Sequence, residues 1–325
     1  AQTAALQRKF AEKYSRIFTR GNKNMKKTAI IDLGSNSIRM SIFEEKNGGC
    51  AETAAYRSVI KLSEGMNESG LLQPQARLRA VRALLEYKSI ISAEGVECVR
   101  AVATAAVRKA KNRAEFLAEV SDVTGMDIEV IDGEREAYYD FLAVRERLGG
   151  GSAVICDIGG GSTEIIAACG GDAPRFAVSI PYGSRSICEM FFSDGETPAA
   201  YAAARAFIAE CIEKKYPTDD FRGLPLVGIG GCLRALSKYD LCDGTANKVE
   251  RHGMSAERLA LMAREIKRAD MPARETMPGI GKERADIIMG GVLLVMGICD
   301  KFAPKEIITM DVGVRDGVIA DMMNG

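Results

Sequence analysis

Apolar residues in this chain follow two periodicities that alternate in a repeated order. Residues 28–33, 37–45 and 51–60 carry the β-branched or alternating apolar positions of strands; a helix follows over 74–94, a strand over 96–102 and helices over 104–123. A strand over 127–131 and a helix over 133–147 come next, and the glycines at 149, 150 and 151 end that helix. The second half repeats the order, with strands over 153–158, 163–169 and 175–180, helices over 183–192 and 197–214, and a strand over 225–229. Helices over 255–268 and 282–300, a short strand over 306–310 and a last helix after Gly313 complete the pattern. Three strands precede the helices in each half, which predicts α/β layers on mixed sheets.

Two of these strands run straight into an Asp-led, glycine-rich turn: AIIDLGSNSIRM at 29–40 and AVICDIGGGSTEII at 153–166. In both, the Asp stands at the strand end, and glycine lets backbone N–H groups close on an anion. Asp32 and Asp157 lie about 125 positions apart, a spacing that suits two related half-molecules. The expected ligand carries phosphates and a metal. Donors to it are the backbone and hydroxyls of Gly34, Ser35, Asn36 and Ser37 in one turn and of Gly159, Gly160, Gly161, Ser162 and Thr163 in the other. A third glycine pair, Gly230 and Gly231 in GIGGCLRAL, follows a buried strand and opens a helix. Its amides suit an anion at a helix N-terminus, and tight strand-to-helix packing explains the same glycines equally well.

Composition narrows the partners. A chain of 325 residues with 47% hydrophobic content can bury a sizeable core and is long enough for two domains. Its 44 basic and 44 acidic residues balance, so phosphate binding has to be local. Nine cysteines without a CxxC pair read as reduced thiols of a cytoplasmic protein. No apolar run reaches the roughly 18 residues that span a bilayer, so no membrane partner is expected. The lone histidine, His252, excludes a multi-histidine metal site and reads as ordinary surface, which leaves acid and base chemistry to carboxylates. Residues 1–24 form a basic lead-in before Met25, with Leu6, Phe10, Tyr14 and Ile17 at helical spacing; they read as an N-terminal extension.

DLGSNSIRM, GEREA at 133–137, DIGGGSTE at 157–164, GIGG at 228–231 and PGIGKERAD at 278–286 together resemble, in order, the exopolyphosphatase and guanosine pentaphosphate phosphohydrolase family. The resemblance covers about residues 26–323. It implies a duplicated ribonuclease-H-like fold, that of the actin-like ATPase and sugar kinase superfamily, with two lobes and an interdomain cleft. The first actin-like domain is expected over 25–135, with the C-terminal helix of 313–325 free to pack back onto it, and the second over 136–325. Relatives that carry further domains present a longer substrate channel, and many relatives are homodimers.

By the same resemblance Glu136 is the general base on the attacking water, with Glu134 kept as its rival and Arg135 standing where relatives often have a second acid. Asp157 and Glu164 are the metal-side carboxylates, and Asp32 helps orient water or metal. Hard oxygen ligands suit Mg²⁺; Mn²⁺ in its place and an assisting K⁺ stay open. Arg39, Arg108 and Arg315 fall where similar proteins place arginines near the phosphates, and a guanidinium grips two oxygens at once.

PGIGKERADII also resembles a helix-hairpin-helix DNA module. Glu275, Glu283 and Asp286 crowd it and the chain is neutral overall, so DNA is not an expected partner. The leading expectation is a Mg²⁺-dependent exopolyphosphatase acting on inorganic polyphosphate. Guanosine pentaphosphate hydrolysis, pppGpp to ppGpp, is the close alternative. A regulator that binds these anions without turnover, or an ATP-using kinase, would belong to a different class; a pure binder has no need of Glu136, Asp157 and Glu164 together.

Overall fold

The computed structural model describes residues 27–46, 49–242 and 251–324; the lead-in of residues 1–24 lies outside them. The described strands form two mixed sheets. One contains β1 (Lys27–Leu33), β2 (Ser37–Lys46), β3 (Gly49–Val59), β4 (Cys98–Ala103) and β5 (Glu129–Val130), in the order β3-β2-β1-β4-β5. The other contains β6 (Ser152–Ile158), β7 (Thr163–Cys169), β8 (Phe176–Ile180), β9 (Leu226–Ile229), β10 (Arg251–Met254) and β11 (Ile307–Met310), in the order β10-β11-β9-β6-β7-β8. Both follow one plan. An antiparallel meander of three strands is extended, beside its first strand, by two parallel strands, and in the second sheet β10 adds antiparallel at the edge. This is the duplicated ribonuclease-H-like α/β architecture that the sequence implies.

The helices are α1 (Met66–Ser69), α2 (Pro74–Ala93), α3 (Ala105–Lys109), α4 (Arg113–Thr124), α5 (Gly133–Leu148), α6 (Ser184–Phe191), α7 (Pro198–Lys215), α8 (Gly230–Asp240), α9 (Ala256–Arg268), α10 (Met271–Thr276), α11 (Gly281–Arg284), α12 (Ile288–Phe302) and α13 (Val314–Asn324). Several begin where sequence chemistry requires. Pro74 and Pro198 occupy first turns, and the side chains of Thr197, Ser255 and Asp270 accept from the amides of Ala200, Arg258 and Ala273.

The chain divides into two compact units. Unit 1 takes the described residues through Ala143 and those from Val314 onward; unit 2 is Val144–Gly313. The division falls inside α5, beyond the 135/136 boundary expected from sequence, and it places Glu136 in unit 1. The reason is local. Arg135 of α5 forms an ion pair with Asp321 of α13 at 2.7 Å, and its guanidinium lies 4.6 Å from the centre of the Tyr139 ring. These contacts hold the first turns of α5 to the returning C-terminal helix.

Each sheet buries one face in an apolar core. In unit 1, Ala29, Ile31, Leu33, Ile38, Met40 and Ile42 pack with Leu84 and Tyr87 of α2 and Phe116 and Val120 of α4. In unit 2, Val154, Cys156 and Ile158 pack with α12, whose Val292, Val295 and Ile298 have no exposed surface. A buried aliphatic side chain of this size contributes about 1.5–3 kcal/mol. Because strand residues alternate faces, Asp32 and Asp157 are carried on the opposite face of their sheets.

Some elements differ from expectation, among them the short helices α1 and α10, which the apolar pattern does not predict. β10, Arg-His-Gly-Met, has no apolar alternation and exists by pairing with β11 at the sheet edge. The single helix expected over 282–300 is two, α11 and α12, separated at residues 285–287. His252, expected as ordinary surface, is half-buried on β10, with Nε2 2.7 Å from Asp240 Oδ2; Arg258 also bonds that carboxylate at 2.5 Å. All nine cysteines are free thiols, and burial pushes Cys188, Cys232 and Cys299 up to about 12. No helix among the described residues is long and apolar enough to cross a membrane.

Gly317 of α13 lies so close to α5 that a Cβ there would overlap the carbonyl of Tyr139. Gly317→Ala is expected to destabilise unit 1 by about 1–3 kcal/mol, measured as a lower thermal midpoint. A midpoint equal to wild type would show that α13 does not pack this closely.

Candidate active site

The two glycine turns are the same object. Gly34 N–H donates to Ser37 O at 3.1 Å, and Gly159 N–H donates to Ser162 O at 3.0 Å. In the first turn the carbonyl of Ser35 accepts from Ser63 N at 3.0 Å, and that of Asn36 from Ile60 N at 3.0 Å and Lys61 N at 2.9 Å. In the second, the carbonyl of Gly159 accepts from Ser184 N at 2.9 Å, and that of Gly160 from Arg185 N at 3.0 Å. Each turn is therefore fastened through its carbonyls to the segment that follows the third strand of its meander. A trans peptide holds N–H opposite C=O, so the amides of Asn36, Ser37, Gly160 and Gly161 are directed away from that segment. Gly183 makes the fastening possible, since a Cβ there would stand 2.5 Å from Gly159 O.

Not every expected donor is turned outward. Ser35, Ser162 and Thr163 are buried, and the Thr163 hydroxyl donates to the carbonyl of Tyr182 at 2.8 Å. That hydroxyl closes the turn onto the end of β8.

In unit 1, Glu136 is 7% exposed and takes a hydrogen bond and ion pair from Arg108 Nη1 to its Oε2 at 2.9 Å. The same nitrogen donates to the carbonyl of Ile131 at 2.9 Å, which anchors Arg108 beside the first turn of α5. Asp132 caps that turn by accepting from Arg135 N at 2.7 Å. Glu134, the rival carboxylate, is exposed. Arg135, which could have changed the field at Glu136, directs its guanidinium to Asp321 instead. Asp32 and Arg39 are register partners on β1 and β2, on the face opposite the apolar core. Arg315 reaches the same face: its Nε donates to Ser41 Oγ at 2.7 Å, two residues along from Arg39.

In unit 2 the equivalent cross-strand pair is Asp157 and Glu164. Glu164 is 1% exposed and accepts from Ser179 Oγ at 2.7 Å. The first meander thus sets a cation opposite its aspartate, and the second sets another carboxylate there. Like charges directly opposite repel, and a cation held by the two carboxylates would relieve that repulsion. Among the described residues no group of three or more His, Cys, Asp or Glu forms a metal cluster, and this cross-strand pair supplies two carboxylates. That donor set suits an ion that keeps most of its water.

Gly230 and Gly231 serve this pair. Gly230 has φ +83°, and a Cβ on it would overlap Oδ1 of Asp157; the carboxylate lies against the start of α8. Gly231 carries the guanidinium of Arg284, whose Nη2 would stand 2.5 Å from a Cβ there and whose Nε donates to Gly231 O at 3.0 Å. Gly228 packs on Leu233, the strand-to-helix role that sequence left open. PGIG is packed as well: at Gly279 a Cβ would stand 2.7 Å from the carbonyl of Ala235 on α8. Arg284 is the residue that sequence reasoning passed over. As one of two cations, Lys282 and Arg284, in PGIGKERAD it carries no distinguishing signal in the sequence, and its contact with Gly231 is what shows its place.

The chain is similar to known proteins over most of its length. The sequence model of the Ppx/GppA phosphatase family matches residues 41–325. A Haemophilus influenzae protein provisionally named exopolyphosphatase is 29% identical over 303 residues, 91% of this chain and 91% of its own. The guanosine-5'-triphosphate,3'-diphosphate pyrophosphatase of Photobacterium profundum is 28% identical over 302 residues, 91% of this chain but 59% of the longer relative. The solved structure of the Aquifex aeolicus PPX-GPPA enzyme superposes with a TM-score of 0.75 at 29% identity, over 90% of this chain and 98% of that one.

Gly230→Ala is expected to cost about 1–3 kcal/mol, because it both strains a left-handed backbone and displaces Asp157. Gly231→Ala should cost less, since the end of Arg284 can move aside. Thermal denaturation of both variants checks the order. Equal stability of Gly230→Ala and wild type would mean that Asp157 does not lie where described.

Proposed function

The chain belongs to the Ppx/GppA phosphatase family, and on that premise we propose that it is an exopolyphosphatase that hydrolyses the terminal phosphoanhydride of inorganic polyphosphate. The observation that carries the reading is the buried Glu136, held in one orientation by Arg108 at 2.9 Å. Its rival carboxylate, Glu134, is exposed.

Phosphoryl transfer asks for little covalent chemistry from the protein; it asks for position and for neutralised charge. Glu136 takes a proton from water as the water oxygen bonds to the terminal phosphorus. The bridging P–O bond breaks, and its electron pair leaves on the shortened chain. The outward amides of Asn36, Ser37, Gly160 and Gly161, with Arg39, Arg108 and Arg315, donate to phosphate oxygens. Asp157 and Glu164 would hold Mg²⁺, which supplies neutralisation of the charge that gathers on the phosphate oxygens. Mn²⁺ meets the same donor requirement. Asp32, opposite Arg39 on the neighbouring strand, helps orient water or metal.

Hydrolysis of pppGpp is the second reading. It is favoured by the Photobacterium relative, whose identity to this chain, 28%, is nearly that of the Haemophilus protein, 29%. Both substrates present a terminal phosphoanhydride.

Glu136→Gln is expected to lower phosphate release from polyphosphate by a factor of about 10²–10⁴ while the substrate still binds. Near wild-type turnover would refute the assignment of the base. Release from polyphosphate, pppGpp and ATP, each with Mg²⁺ and with EDTA, decides the substrate. The reading predicts polyphosphate turnover that needs no acceptor and that stops in EDTA. ATP consumption only in the presence of an acceptor would point to a kinase.

A further inference from the structure

The charged row that begins at the first glycine turn does not end at Arg39. On β2 the partner of Asp32 is Arg39, and on β3 the partner of Arg39 is Arg57. The alternation fixes the face. Ala54 and Tyr56 pack against the apolar core of unit 1, so Arg57 stands on the opposite face with Arg39 and Asp32. Adjacent strands lie about 4.8 Å apart, so the row from Asp32 to Arg57 spans about 10 Å of sheet.

Beside this row lies a floor of small residues. Ser41, two positions along β2 from Arg39, has Ala55 as its register partner on β3. Arg315 lies over that floor with Nε on Ser41 Oγ at 2.7 Å. The Ser41 hydroxyl donates in turn to Glu52 Oε1 at 2.6 Å, so the β3 carboxylate holds the serine, which holds the arginine. A β-bulge between Ile42 and Phe43 keeps Glu52 on that face. Arg39, Arg57 and Arg315 thus share the face that carries Ser41 and Ala55, on the edge strand and its neighbour. A guanidinium presents paired N–H donors that match the oxygens of a phosphate, so a row of them on one face suits a chain of phosphates.

We propose that Arg39, Arg57 and Arg315 form a second phosphate subsite on β2 and β3, which holds substrate phosphates beyond the one released. The inference rests on the phosphoanhydride reading above and deepens it. A subsite displaced along the sheet gives nothing to a substrate that ends after a few phosphates, so the substrate class it selects is a linear polyphosphate longer than tripolyphosphate. Arg57 is exposed and lies on an edge strand, so it can be changed with little effect on packing.

Phosphate release is measured from tripolyphosphate and from long linear polyphosphate with wild type, Arg57→Ala and Arg57→Lys. The subsite predicts that Arg57→Ala raises KM for the long chain roughly fivefold more than KM for tripolyphosphate, with Lys restoring part of the difference. Equal changes for the two substrates, or no change in either, overturn it. If Arg57→Ala loses its native circular dichroism, Arg57→Gln is used in its place. Equilibrium binding of end-labelled long polyphosphate is measured in parallel, without turnover. Weaker binding by the variant supports the subsite and equal binding overturns it, whereas a wild type that binds the polymer but releases no phosphate overturns the hydrolase reading instead.

Discussion

A four-residue turn closed by one backbone hydrogen bond, from Gly34 N to Ser37 O and again from Gly159 N to Ser162 O, sets the conditions for everything else in the site. Its carbonyls are tied down by the chain that leaves the third strand, and peptide planarity then fixes which way the amides face. Glycine at the first position lets the closing carbonyl come close, since a Cβ there would stand 3.0 Å or 3.2 Å from it. Once the turn is fixed, so is the aspartate two residues before it, and with it the residue opposite that aspartate on the next strand.

That opposite residue is where the two halves part ways. One scaffold pairs Asp32 with Arg39, the other pairs Asp157 with Glu164. A single difference in charge sets the two meanders apart, and on the proposed reading it suits one to phosphate and the other to a cation. Supporting residues follow the same division: Ser41 and Arg315 serve the cationic face of unit 1, while Ser179 and Gly230 serve the carboxylate pair of unit 2. Glu136 stands apart from both meanders, on a helix whose first turns are secured by Asp132, Arg108 and the Arg135–Asp321 ion pair.

Much of this was legible in the sequence because it depends on local chemistry. The β-branched runs before Asp32 and Asp157 mark the strands, and the glycines after them mark the turns. What could not be read depends on neighbours distant in the chain. β10 owes its existence to β11, more than fifty residues on. The division within α5 reflects Gly317 and Asp321 meeting Tyr139 and Arg135. The hydroxyl of Thr163 looks like a phosphate donor in GGGST, yet Tyr182 takes it. Arg57 reads as one more surface cation until the register sets it opposite Arg39.

The central claim is that fastened carbonyls present the amides of both turns to phosphate. Amide spectra of isotope-labelled Glu136→Gln protein, recorded with and without tripolyphosphate and Mg²⁺, test it residue by residue. The account predicts that Asn36, Ser37, Gly160 and Gly161 are among the signals that move most on binding. If tripolyphosphate binds while those four signals stay in place, the turns do not hold phosphate and the account is wrong.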